Sequence, residues 1–512
     1  MPIYPLNEPY DVTAEWYLPD HPERTITGEL HYTPGQISLE LQDTFAPLEG
    51  AIYGNETVSF SRICGQTRSG ELFTLINPFR LGTSIKIGGG RLVQPDRFSA
   101  SMLIVGALTD DNPIVANVSC RVPGLAVWLS RPTIDATYEP ADDALTMTFR
   151  VASLPAENFR IPALSANLAF NVSSMAKPDG FSLNVTTIGY WRLVPDTPQP
   201  LSWYLRHIPA MTAFLSLCAG VTMSPDCITL SGEERNERPS LLVRRPADKY
   251  CTITDLRFFF LARETFATQF EKCLVRWFEL YPTIETTNAL AMSILASDQL
   301  WPHVEFLSLM QALEGFHRVQ YDGHYMPKDD YTAVADTLVQ AIPADVSPDH
   351  RASLKSRIRY GNEISLAKRL TLLCESLGEP LRNMLYGNSA KLLRRWIDTR
   401  NYYTHWDESL RDQILDGQNL VYAIARLRSL LRVLYLDAIG VPQQAIFQGL
   451  TGTSTEAQFL IQIRGIERRA ANPEDATGAI MFIQRGVRSS SDVNFDVSGH
   501  ETKTETDSDG SR

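Results

Sequence analysis

The apolar residues of this chain change their spacing near residue 264, and that switch limits the folds open to it. Before it, Val12, Ala14, Trp16 and Leu18 alternate with polar neighbours, and Leu30–Leu41 reads as a hairpin turning at Pro34-Gly35. Leu145–Val151 and Phe181–Ile188 continue the alternation. After it, Phe266, Phe270, Leu274, Trp277, Phe278 and Tyr281 recur at helical spacing. A period of two buries one face of a sheet, whereas a period near 3.6 buries one stripe of a helix. An α+β, multidomain chain follows: a β-rich, sandwich-like region over 1–263, an all-α helical bundle over 264–452 and a C-terminal helix over 453–472. The tail, 473–512, is acidic and Ser/Thr-rich and is expected to be disordered. With 512 residues the chain is too long for one core.

Within the β-rich half, Trp203, Tyr204, Leu205, Ile208, Phe214 and Leu217 predict one embedded helix between Pro200 and Gly220, and Glu233–Arg238 reads as a solvated turn. Within the helical half, Pro302 suits a first helical position. Further helices are expected over 362–377, from Ser389 through His405, and over 418–439, the last stopping at Gly440. That is a bundle of at least four helices.

The net charge of −12 argues against a general nucleic-acid coat but permits a local basic site. Seven scattered Cys, with no Cys-x-x-Cys pair, point away from a disulfide framework or structural zinc and towards a reducing cytoplasm. No signal-like start and no apolar run of ~18–20 residues is present, so no membrane partner is expected. Gly88-Gly89-Gly90 lacks the lysine and helix of a phosphate loop and reads as a turn. His21, His31 and His207 are isolated, and His303-Val304-Glu305 and Asp322-Gly323-His324 lack ligand spacing, so neither metal nor cofactor is expected.

The chemistry-bearing stretch is Leu392–His405. One helical row runs Leu393, Ile397, Asn401, His405, and its neighbour runs Leu392, Trp396, Arg400. Both begin apolar and end polar, so the polar end should face a cleft or another chain, because buried polar groups need partners. A guanidinium suits anionic phosphate oxygens, and an imidazole titrates near neutrality. The local alternative pairs Arg400 with Asp398 or Asp407 and leaves His405 as a helix cap. Arg351, Lys355, Arg357, Arg359, Lys368 and Arg369, with Lys391, Arg394, Arg395, Arg426, Arg428 and Arg432, could line a basic groove or simply form solvated faces.

Arg400-Asn401-Tyr402-Tyr403-Thr404-His405 resembles the Arg-x(4–6)-His motif of the HEPN superfamily, and Ser308–Arg318 is similar to the helix preceding that motif in the ApeA-like branch. The resemblance covers roughly 266–450. The first half resembles the ApeA N-terminal domain more loosely, through its hairpins and Pro123–Leu129. The resemblance implies a metal-independent endoribonuclease of antiphage defence by abortive infection, cutting host RNA such as tRNA. Arg400 and His405 would be catalytic, Asn401 would assist, and Glu314 and Tyr403 would support. Lys391, Arg394 and Arg395 would touch RNA. It further implies a homodimer or higher homo-oligomer through the bundle, and an N-terminal region that senses a phage-derived trigger or restrains the nuclease. The competing reading is a non-enzymatic dimerisation or RNA- or nucleotide-binding protein.

Overall fold

In a computed structural model of the chain, the structure describes residues 4–45, 60–83, 86–88, 91–93, 95–141, 144–178, 183–232, 238–244, 251–297, 300–387 and 390–471. The expected turn over 233–238 and the tail over 473–512 fall almost wholly outside them. The chain divides into two compact units, residues 1–461 and 462–512.

The β-rich region is built on one antiparallel ladder of fourteen strands among the described residues. From one edge to the other it runs Glu157–Ile161, Ala166–Pro178, Leu183–Pro195, Asn117–Arg121, Cys227–Ser231, Ser240–Val243, Met102–Val105, Leu72–Ile76, Arg62–Gln66, Tyr10–Leu18, His21–Thr33, Gln36–Leu41, Asp96–Ala100 and Phe79–Thr83. Alternation explains the inward faces. Ala14 and Trp16 on one strand, and Ile37, Leu39 and Leu41 on another, are buried. The Pro34-Gly35 hairpin forms with Thr33 opposite Gln36. Strands Lys86–Gly88 and Arg91–Val93 pair around the glycine cluster, with Gly89 and Gly90 outside the described residues.

Helix α1 is the short Leu125–Trp128, and α2 (Leu201–Ala219) is the expected helix embedded in the β-rich region. The bundle follows: α3 (Phe270–Leu280), α4 (Glu285–Ala296), α5 (Pro302–Gln320), α6 (Lys328–Gln340), α7 (Pro348–Arg359), α8 (Leu366–Glu375), α9 (Glu379–Leu385), α10 (Ala390–His405), α11 (Gly417–Ala438), α12 (Gln443–Thr451) and α13 (Thr455–Ala471). The β-rich and helical halves are thus as the spacing predicts. Helix α5 begins at Pro302, and α11 ends before Gly440, whose φ of +90° suits a residue without a Cβ. Helix α8 starts four residues later than expected. Ser365 accepts the Lys368 amide as an N-cap, while Glu363 bridges to His324 and extends the chain ahead of it.

Among the described residues the last strand ends at Val243 and the first bundle helix begins at Phe270, and the hydrophobic core continues across that interval. Phe159, Phe170 and Phe214 from the β-rich region all meet the Phe270 ring of α3 within 6.0 Å. The Trp277 indole donates to the Ala210 carbonyl of α2 at 2.8 Å, and the Trp128 indole donates to the Leu261 carbonyl at 2.9 Å. Arg432 of α11 donates to the Ser216 and Leu217 carbonyls at the end of α2, where the helix dipole favours a cation. All seven cysteines are buried, and none is in a disulfide among the described residues.

Candidate active site

Helix α10 carries the Arg-x4-His stretch. It buries Trp396, Thr399 and Tyr402 along one stripe and leaves Leu392, Leu393 and Ile397 half-buried at the margin. The Thr399 hydroxyl donates to the Arg395 carbonyl and accepts the Leu415 amide at 2.9 Å, fastening the segment after the motif to the helix. Neither functional side chain is sealed in the core. Arg400 is 28% exposed and His405 is exposed.

Arg400 donates to the Asn401 side-chain oxygen at 3.2 Å, and its other terminal nitrogen lies 4.0 Å from the Glu314 carboxylate on α5. Glu314 also accepts two bonds from Arg318, at 3.2 and 3.1 Å. Arg318 in turn donates to Glu363 at 2.7 Å. Burial opposes the Arg318 charge, but Glu363 and Glu314 outweigh it and hold this guanidinium above its usual range. Behind them Arg369, only 2% exposed, lies 3.5 Å from Glu363 and bonds His317 Nδ1 at 3.1 Å. Burial, then Arg369 and Arg318, pushes the His317 imidazole down, which keeps it neutral and able to accept. The site therefore has a braced arginine at the end of a chain of alternating charges. The His405 imidazole, by contrast, has no hydrogen-bond partner among the described residues.

The local alternative pairing of Arg400 is not what forms. Asp398 is buried and takes Arg394 at 3.0 Å, and Asp407 caps Ser409. The Tyr403 ring meets the His303 ring edge-on at 4.7 Å, and burial raises its hydroxyl pKa, with Tyr402 and Asp416 adding to the effect. Tyr402 lies 6.1 Å from the ring of Trp406. Trp406 stops the helix in the left-handed region, at φ +53°, and is 70% exposed. Glycine is the usual occupant of such a position.

The basic residues sort differently from the expected groove. Arg369, Arg426 and Arg432 are buried, Arg428 is partly buried, and all four are committed to partners within the protein. Arg426 donates to the Leu385 carbonyl, Arg428 to Glu305 and the Ile294, Leu295 and Ser297 carbonyls, and Arg432 to Glu456 at 3.0 Å. Interior guanidiniums satisfy nearby carbonyls that would otherwise lack partners, which removes these four from any groove. Arg351 likewise holds the Ile342 and Pro343 carbonyls. Of the residues expected at RNA, Lys391 is exposed, Arg394 is exposed but paired with Asp398, and Arg395 donates to the Gln413 and Ile414 carbonyls. The Arg318–Glu363–Arg369–His317 chain was not foreseen, because its members meet only through packing of α5 against α8. Among the described residues no cluster of three or more His, Cys, Asp or Glu gathers to hold a metal, and no helix is long and apolar enough to cross a membrane.

A β-rich module joined to a helical bundle, with Arg and His closing one helix of that bundle, defines a HEPN-type protein. The family model ApeA N-terminal domain 1 matches residues 11–277, and the Apea-like HEPN model matches residues 307–445. The chain belongs to the ApeA-like HEPN family, a family of antiphage defence; HEPN domains are typically nucleases and commonly dimerise and bind RNA. No curated protein and no solved structure matches the chain.

Proposed function

We propose that the chain is a metal-independent endoribonuclease that cuts host RNA, such as tRNA, during abortive infection. One observation carries this reading: a braced, half-buried Arg400 and an exposed, unengaged His405 close the same helix at its solvent-open end. Arg400 keeps donors to spare for a phosphate and would stabilise the charge that builds on the phosphorane. The imidazole of His405 would take the proton of the ribose 2′-hydroxyl, or give one to the leaving 5′-oxygen. The 2′-oxygen then bonds to phosphorus, the bond to the 5′-oxygen breaks, and a 2′,3′-cyclic phosphate remains.

One His cannot serve as acid and base at once, and five residues along a helix turn Arg400 and His405 about 140° apart. A second copy of the chain across the helix end answers both points. The exposed surface there supports a homodimer seam: Trp406 is 70% exposed, Trp301 is 81% exposed, and His303–Tyr403 contact links their neighbourhoods. Asn401 would orient Arg400, and Tyr403, Lys391, Arg394 and Arg395 would contact RNA. The N-terminal region would sense a phage-derived trigger or restrain the nuclease.

Arg400→Ala and His405→Ala test the reading directly. Each should lower RNA cleavage by at least about 100-fold while keeping the molar mass of the wild-type dimer. Fragment ends should carry cyclic phosphate, and EDTA should leave the rate unchanged. Variants that cut at the wild-type rate remove these residues from the site, and loss of activity in EDTA replaces the mechanism with metal hydrolysis.

A further inference from the structure

A cavity of about 290 Å³ lies where α2 of the β-rich region meets α4 and α11 of the bundle. Its size is at the lower end of small-molecule pockets, about 300–1,000 Å³. Asn288 lines it, is fully buried, and has no hydrogen-bond partner for either its amide nitrogen or its amide oxygen among the described residues. Burying an amide without partners is unfavourable, and native interiors rarely tolerate it. A cavity-wall residue whose amide donor and acceptor both lack partners is one that a ligand with a complementary edge would satisfy.

The rest of the wall narrows the ligand. Among the described residues no Asp, Glu or Lys lines the cavity. Arg432 does, but it is already engaged by the Ser216 and Leu217 carbonyls and by Glu456, so its charge calls for no phosphate. Tyr281 and Met292 give the wall aromatic and thioether surface suited to a flat ring. We infer that this cavity binds a small neutral heterocycle with adjacent donor and acceptor, of the chemistry of adenosine. Asparagine pairs with adenine through two such bonds. Residues of α2, α4 and α11 all line the cavity, so the ligand would tie the β-rich region to the bundle through a site that includes no residue of the Arg-x4-His stretch.

Thermal melting of the full chain with adenosine, guanosine, cytidine or uridine at millimolar concentration tests this. Adenosine should raise the melting temperature by a few degrees, more than the other three. Without ligand, Asn288→Leu should melt at or above the wild-type temperature, since it removes an orphan amide. It should also weaken adenosine binding at least tenfold. Ala213→Leu, which fills the cavity from α2 and keeps Asn288, should block binding as well. The proposal is overturned if no nucleoside stabilises the chain, if another stabilises it more than adenosine, or if Asn288→Leu binds adenosine as the wild type does. It is equally overturned if Asn288→Leu melts several degrees lower, because the amide would then be satisfied by bound water.

Discussion

Arg400 and Arg432 are both guanidiniums near a carboxylate, and their surroundings give them opposite roles. Arg432 is nearly inaccessible and spends its donors on two carbonyls and Glu456. Removing either partner of such a buried pair costs about 3–5 kcal/mol, so its role is to hold α11 to α2. Arg400 has one amide acceptor at 3.2 Å and a carboxylate at 4.0 Å, which leaves room for a ligand. On the proposed reading Glu314, 4.0 Å away, would help Asn401 to aim it. Glu314→Gln keeps the shape and removes the charge, so kcat should fall about tenfold, roughly 1.4 kcal/mol, with KM little changed. Because Glu314 is partly exposed, stability should move by less than about 1 kcal/mol. Adding Glu314→Gln to Arg400→Ala should lower the rate no further. If the two effects multiply instead, Glu314 acts independently of Arg400.

The motif helix joins a buried stripe to an exposed and strained end. Trp396, Thr399 and Tyr402 anchor it, and Trp406 terminates it at a positive φ that a bulky side chain adopts at a cost of about 1–2 kcal/mol. Strain retained in an exposed tryptophan beside the Arg-x4-His stretch fits a residue kept for contact with a second chain. Trp406→Gly should therefore raise protomer stability by up to about 1 kcal/mol, since it relieves φ and loses little burial. The same variant should shift the molar mass towards monomer and lower cleavage. Lower stability together with an intact dimer would remove Trp406 from the seam. Element ends were readable from sequence where the stopping chemistry is local, as at Pro302 and Gly440. Helix α8 begins later than the spacing predicts, because a bridge from Glu363 to His324, a partner 39 residues away in sequence (363 − 324), keeps the chain extended up to the Ser365 cap.

Across the whole molecule, two histidines make folding sensitive to acid. Burial, with Arg206 adding to it, pushes His207 down to about 4. Burial together with Arg369 and Arg318 lowers His317. Both have folded values below the ~6.5 of an unfolded histidine, so protonation favours the unfolded chain. Their contribution is intact above about pH 6.5 and is lost as pH falls below it, for His207 down to about 4, by at most about tenfold in the folding equilibrium per pH unit for each group. Denaturant unfolding at pH 7.5 and pH 5 checks this. His207→Phe should lose less stability between the two than the wild type, and equal losses would assign the acid sensitivity elsewhere. Four cations of the candidate basic groove, Arg369, Arg426, Arg428 and Arg432, leave it at this same scale, because sequence position does not say which side of the surface a guanidinium occupies.

The succession of a β-rich half and a helical half was legible in one dimension, as was the Arg-x4-His spacing at the end of α10, because hydrophobic period and residue spacing are properties of neighbouring residues. Which cations stay free was not. Arg428 finds Glu305 across 123 residues and Arg432 finds Leu217 across 215, and no local pattern encodes such meetings. Asn288 reads in sequence as an ordinary polar residue of a helix. Only packing α2, α4 and α11 together strips it of water without supplying a partner, because burial belongs to the assembled core and not to the residue.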